Sequence, residues 1–197
     1  KEPQTMYNII ISGVGGQGIL SIAFVIDQAA LAEGLYFLQS EVHGMSQRGG
    51  AVESHLRLSE TEIFSPLIPQ GEADLILSVE PLEALRYFSF LKPEGTVISS
   101  RTPYVNIHDY PPLEEVFKEI KKVRESWLIE AGQLAKQAGS LRAENMVVLG
   151  AASRYLPLQE DNLKKFIRVL FQSKGEKVVE TNLKAFDLGR QAAESQA

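Results

Sequence analysis

Apolar runs of strand length alternate with helix-spaced apolar stripes over the first two thirds of the chain, and helical spacing alone fills the last third. Tyr7 to Ser12 is an apolar, β-branched run bounded by glycine, which predicts a strand buried on both faces. Ile19, Leu20, Ile22, Ala23, Ile26, Ala29, Ala30 and Leu31 then fall near helical spacing, with Gly34 placed to end the helix. A second strand is expected within residues 35 to 42. A polar loop holding Gly44, Gly49 and Gly50 separates it from Val52, Ser54, Leu56 and Leu58, which alternate in strand fashion. Pro66 and Pro69 make residues 64 to 71 an irregular connection. Asp74 to Val79 reads as a buried strand, and Glu80 followed by Pro81 opens a helix with the stripe Leu82, Leu85, Phe88 and Leu91. Thr96 to Ser100 supplies a further strand. A helix is expected from about Leu113, a strand around Trp127 to Ile129, and a helix that Gly139 ends. The default role of the single tryptophan in that strand is packing. The remainder reads as three helices, marked by residues 142 to 156, by Leu163, Phe166, Ile167 and Leu170, and by Val178, Val179, Leu183, Phe186 and Arg190.

Between the first strand and the first helix stand Gly13, Gly15, Gly16 and Gly18, in the register Gly13-Val14-Gly15-Gly16-Gln17-Gly18 of a GxGxxG turn. Glycine permits a tight turn and the close approach of a ligand or a second backbone, and the helix N-terminus behind it offers free N–H groups to an anion. Two readings stay open: a turn that holds an anionic group, and a turn that only makes the crossover compact. A nicotinamide dinucleotide site also needs an acid at the end of the second strand to hold the ribose. Glu33 falls on the helix and Glu41 in the expected loop, so neither is well placed. The whole pattern is α/β and Rossmann-like, with a largely parallel sheet flanked by helices and a helical C-terminal part.

Composition narrows the function. A chain of 197 residues, 44% hydrophobic, fills one core, and a single domain over residues 1 to 197 is expected. The formal charge of −5, with scattered rather than clustered basic residues, gives no footprint for nucleic acid. The absence of cysteine excludes disulfides, a catalytic thiol and a thiolate-held iron–sulfur cluster within these residues, and suits a reducing cytoplasm. No apolar run reaches the ~20 residues of a membrane span. Residues 1 to 8 hold no signal-peptide core, so a soluble cytoplasmic protein is expected. The internal Met6 leaves the origin of residues 1 to 5 an open point.

His43, His55 and His108 are too scattered for a metal motif, and neither HExxH nor GxSxG occurs, which leaves zinc and covalent serine chemistry without support. His55 alternates with strand residues and reads as structural. His43 lies in the polar loop, where it either holds the loop or a partner by a hydrogen bond or acts as an acid–base group. Arg48, beside Gly49 and Gly50, suits a carboxylate or phosphate, or an interchain ion pair. Glu80 and Glu83 sit near a strand end, where helix capping is the simplest role.

The segments "GVGGQGILS" (13 to 21) and "SEVHGMSQRGGAV" (40 to 52) together resemble the two signature segments of the γ-type domain of 2-oxoacid:ferredoxin oxidoreductases, most closely the β subunit of the indolepyruvate type. "SPLIPQGEADLILSVEPLEALR" (65 to 86) is similar to the same subunit. The resemblance implies a smaller subunit of a heteromeric enzyme that oxidatively decarboxylates a 2-oxoacid, transfers the acyl group to coenzyme A and reduces ferredoxin. It implies that thiamine diphosphate and the iron–sulfur clusters lie on a larger partner subunit and that this chain alone holds no cofactor, and the chain has no convincing GDG...N thiamine motif. On this reading Gly13, Gly15, Gly16, Gln17 and Gly18 pack the crossover or hold an anionic part of a cofactor such as coenzyme A. His43, Met45, Ser46, Gln47, Arg48, Gly49 and Gly50 form a partner-contact or active-site-closing loop. An independent NAD(P)-dependent oxidoreductase and a nucleotide-sensing module are the alternatives.

Overall fold

Strands rich in isoleucine, leucine and valine assemble into a six-stranded sheet in the computed structural model, which describes residues 6–44, 49–105 and 107–195. In chain order the elements are β1 (Tyr7–Val14), α1 (Ile19–Ala32), β2 (Tyr36–His43), β3 (Ala51–Ser59), β4 (Ala73–Ser78), α2 (Pro81–Leu85), β5 (Leu91–Ser100), α3 (Leu113–Ile120), β6 (Glu125–Ile129), α4 (Ala131–Ala138), α5 (Glu144–Ala152), α6 (Glu160–Phe171) and α7 (Glu176–Glu194). The strand order is β2-β3-β1-β4-β5-β6. β1, β4, β5 and β6 pair in parallel, whereas β3 runs antiparallel to both β1 and β2. The largely parallel sheet thus carries one reversed strand. Its cause is local: the connection 44–50 is far shorter than the crossover of a dozen or more residues that a parallel return needs.

Side chains alternate between the two faces of the sheet. Ile9, Ile11, Leu75, Leu77, Ile98 and Ile129 pack under α1 and α4 to α7, while Ile10, Ile76, Val97 and Leu128 pack under α2 and α3. Trp127 packs tilted against Tyr155, ring centroids 6.3 Å apart. His55 is structural, its Nδ1 accepting from Ile68 N at 3.1 Å.

Several boundaries differ from the sequence expectation. β1 runs to Val14, so Gly13 lies within the strand, paired with Val52. β2 runs to His43, which moves Glu41 and His43 from the expected loop onto a strand, paired with Ser54 and Val52. α2 stops at Leu85, and Leu91, expected on its stripe, instead opens β5 opposite Ala73. Residues 92–95 bulge out before Thr96 resumes the pairing opposite Leu75. Arg190 does not belong to the apolar side of α7, because its guanidinium reaches Glu160 at 2.9 Å and Ser153 Oγ at 2.9 Å.

The tightest contact is between α5 and α7. A Cβ at Gly150 would stand 1.9 Å from Phe186 O, and one at Gly189 would stand 1.9 Å from Val147 O. The two helix backbones therefore touch, each glycine against the carbonyl of the other helix. No side-chain adjustment relieves a clash with main chain, so Gly150→Ala or Gly189→Ala should destabilise the fold by about 3 kcal/mol or more, at the upper end for overpacking. Urea unfolding midpoints of the two variants measure this, and a wild-type midpoint in both would disprove the close crossing.

α1 also buries an acid. Asp27 is 6% exposed and its Oδ1 accepts no hydrogen bond among the described residues. Burial, and secondarily the Glu41 carboxylate, push its pKa up to about 7. Below the ordinary value of 3.8 the folded and unfolded chains both hold this proton, so Asp27 costs the fold nothing. As pH rises the unfolded chain ionises first, and folding is progressively penalised until the folded carboxyl also ionises at about 7. Asp27→Asn, neutral throughout, should remove this loss, and thermal unfolding of both proteins between pH 4 and 8 reads it. Parallel pH profiles would count against the buried acid.

Candidate functional site

The carboxyl end of β1 turns into α1 through the glycines, and neighbouring elements hold that turn on three sides. Gly15 N donates to Gly50 O at 2.8 Å, which bonds the first glycine segment directly to the second. Gln17 clamps the turn from within, its Oε1 accepting from Val14 N at 2.8 Å and its Nε2 donating to Val79 O at 3.4 Å. On the third side Asn145, near the start of α5, donates Nδ2 to Gly18 O at 3.2 Å.

The four glycines are not equivalent. Gly13 is a packing position, since a Cβ there would meet Ile19 Cδ1 at 2.7 Å and Gln17 Oε1 at 2.9 Å. Gly18 caps α1 at φ +80°, and a Cβ would stand 2.3 Å from Asn145 Nδ2. Gly16 also needs a positive φ, +102°, yet a Cβ there would meet nothing within 4 Å. Its surface is open to whatever approaches the turn. No side chain caps the N-terminus of α1, leaving its first N–H groups available to an anion.

Recesses open on both sides of Gly16. One, about 610 Å³, lies against β3 and is lined by Gly15, Gly16, Gly18, Ser21, His43 and Val52. His43 enters it from the end of β2, with Nε2 3.3 Å from Glu41 Oε2. Glu41 Oε1 in turn accepts from Gln39 Nε2 at 2.5 Å, and Gln39 reaches Ser54 Oγ at 2.9 Å. The Glu41 carboxylate on one imidazole nitrogen orients the ring at the recess. The second recess lies on the other side of the turn, against α5 and α7.

The structure thus brings Gly13, Gly15, Gly16, Gln17 and Gly18 together with His43, Gly44, Gly49 and Gly50. Met45, Ser46, Gln47 and Arg48 lie outside the described residues. Asn145 and the Glu41 partner of His43 were not legible in the sequence: the first is a polar residue at the start of an otherwise apolar helix, and the second depends on β2 being long enough to place both side chains on one face. Glu80 caps α2, its Oε2 accepting from Glu83 N at 2.8 Å, and its other oxygen accepts from Tyr110. Among the described residues no cluster of His, Asp or Glu suits a metal ion, and no helix is long and apolar enough to cross a membrane.

The arrangement has recognisable relatives. Residues 8–192 match the family model described as pyruvate ferredoxin/flavodoxin oxidoreductase. The chain is 40% identical to the indolepyruvate oxidoreductase subunit IorB of Thermococcus kodakarensis, over 95% of this chain and 96% of that one. Its fold is similar to part of the 2-oxoglutarate:ferredoxin oxidoreductase of Magnetococcus marinus, solved with 2-oxoglutarate, coenzyme A and succinyl-CoA bound, at TM-score 0.78 and 25% identity over 98% of this chain and 32% of that one. It is also similar, at TM-score 0.70 and 24% identity, to the keto/oxoacid ferredoxin oxidoreductase γ subunit of Geobacter sulfurreducens, over 96% of this chain and 99% of that one. With the family model spanning nearly all of the chain, this protein belongs to the pyruvate ferredoxin/flavodoxin oxidoreductase family.

Proposed function

We propose that this chain is the smaller subunit of a heteromeric indolepyruvate, or related arylpyruvate, ferredoxin oxidoreductase of the cytoplasm, its 197 residues acting as a single γ-type domain. The observation that carries the reading is the 40% identity to an IorB subunit along nearly the full length of both chains. The complete enzyme oxidatively decarboxylates the 2-oxoacid, transfers the acyl group to coenzyme A and passes electrons to ferredoxin. Thiamine diphosphate and the iron–sulfur clusters are assigned to a larger partner subunit, because this chain has no cysteine to ligate a cluster.

The independent NAD(P) reading is weakened by topology. In a dinucleotide fold the ribose-binding acid ends the strand beside β1. Here β3 stands between β1 and β2, and the Glu41 carboxylate is engaged by Gln39 and His43.

For this chain's own residues, the proposal assigns the turn Gly13 to Gly18 to crossover packing and to holding an anionic part of coenzyme A, with Gly16 as the point of approach. The segment 41 to 50, including His43, Met45, Ser46, Gln47, Arg48, Gly49 and Gly50, contacts the large subunit or closes the active site. The open space at Gly16 and the uncapped start of α1 support the first assignment, and the bond from Gly15 to Gly50 couples it to the second.

Expressed alone, the chain should be colourless, free of iron and unable to oxidise indolepyruvate, whereas coexpression with its cysteine-rich partner should give a stable complex that reduces a ferredoxin surrogate. Iron–sulfur absorbance or turnover in the lone chain contradicts the assignment. Gly16→Ala should fold and assemble, costing about 1–2 kcal/mol for the left-handed backbone, while raising the complex's KM for coenzyme A. An unchanged KM with that modest stability loss would leave the turn a packing element only.

A further inference from the structure

β2 closes one end of the sheet, so over Tyr36–His43 its outer backbone edge pairs with no strand among the described residues. Proteins commonly blunt such an edge with proline, lysine or a covering element. β2 has neither proline nor lysine, and its one charged residue, Glu41, is turned to Gln39 and His43. Tyr36, Leu38, Ser40 and Val42 alternate onto the face opposite α1, and Tyr36 and Val42 are more than half exposed there. Beside them Arg57, the cross-strand partner of Leu38, donates to Ser65 O at 2.9 Å and to Leu67 O at 3.2 Å, while Ile68 N donates to His55 Nδ1. The connection 64–71 is thus held over β3 by its main chain, which leaves the Phe64 side chain 88% exposed and Leu67 59% exposed. Apolar surface gathered in this way at a free edge marks an interaction site.

Charge says what covers it. Residues 33 to 72 hold six acids against two basic residues, and so carry four of the chain's five net negative charges. Glu60 and Glu62, just past the end of β3 where Ser59 pairs with Tyr36, are exposed and in no ion pair among the described residues. Glu53, opposite Val42, adds a third acid along the same edge. Arg57 is the one described cation of this stretch, and its guanidinium is already bonded to Asn8 Oδ1, Ser65 O and Leu67 O. A second copy of the chain would therefore bring the same acids and no free cation. On the other face of the edge α1 adds no exposed charge: Asp27, its single charged residue, is buried, whereas Leu20 and Leu31, three turns apart, are exposed. The edge is apolar along its length and acidic at its rim, which is the complement of an extended, apolar and basic segment.

We infer that the open edge of β2 docks an extended segment of the larger subunit, which adds a strand to the sheet, lays alternate apolar side chains against Tyr36, Leu38, Val42 and Phe64, and sets lysine or arginine on Glu53, Glu60 and Glu62. Main-chain bonds to the free edge supply affinity, and the alternate side chains fix the register. β2 ends at His43, which lines the recess beside the glycine turn, so the docked strand leads to that recess. The inference rests on the subunit reading given above and adds to it the docking surface and the form and charge of the segment that binds there.

The test is competition for the large subunit: wild-type chain and one variant are coexpressed with it, and mass spectrometry reads the share of each in the purified complex. Phe64→Ser and the double variant Glu60→Lys/Glu62→Lys should each lower the variant's share by about tenfold. Glu125→Lys, on the edge strand β6 at the opposite end of the sheet, should change it by less than about twofold. In the wild-type complex the amides of residues 36 to 43 should exchange with deuterium about tenfold more slowly, or more, than in the lone chain. Unfolding midpoints of the lone variants verify that they fold. Equal shares for every variant, an equal loss in Glu125→Lys, or unchanged exchange of residues 36 to 43 on assembly overturns the inference and leaves the subunit reading standing. A wild-type chain that never assembles with the large subunit overturns both. A lone chain that dimerises with slowed exchange at β2, and loses the dimer in Phe64→Ser, gives the edge to a second copy and also overturns the inference.

Discussion

Contact between the backbones of α5 and α7 is the constraint from which the site is built. Gly150 and Gly189 let each helix lie against the carbonyl of the other, with no room for a methyl group on either side. That crossing fixes where the start of α5 lies, and Asn145 at that start grips Gly18 O. Gly18 is the first residue of the α1 cap, so the position of the glycine turn depends on a helix pair more than a hundred residues further along the chain. The turn then passes the constraint on, because Gly15 N bonds Gly50 O and aligns the second glycine segment with the first. A loosened crossing would be felt at the turn before it was felt in the strands, whose ladders are closed independently.

The strands and most helices were legible because their apolar residues follow periods of two or of 3.6, and those periods survive any tertiary rearrangement. The glycine turn was legible for a related reason: φ values of +102° and +80° at Gly16 and Gly18 are conditions that few other residues meet. What escaped the sequence was set by partners distant along the chain. Gly150 lies inside an apolar helix, and nothing local says that a second helix arrives at that point. Asp27 is an acid among apolar neighbours on α1, and a helical reading alone places no sheet over it. Glu41 fell into an expected loop because Gly44, Gly49 and Gly50 suggested an early strand end, whereas pairing with β3 carries β2 on to His43.

The reversal of β3 explains why two glycine-containing segments carry more information together than either does alone. A parallel β3 would have needed a long crossover and would have placed residues 44 to 50 at the far end of the sheet. The short connection forces a hairpin, so the end of β2 and the start of β3 come to the carboxyl edge where β1 also ends. Val14 is there paired with Ala51, one residue from the Gly15 to Gly50 bond. The segments are therefore one structural unit: a change that lengthened the hairpin connection or shifted β3 by a residue would break the bond to Gly15 and turn the Val52, Ser54 and Leu56 face away from α1. The glycines of both segments answer to that single geometry, in which two chain reversals share a backbone hydrogen bond and leave Gly16 facing outward between recesses of opposite character, one bounded by an imidazole–carboxylate pair and another by three cations.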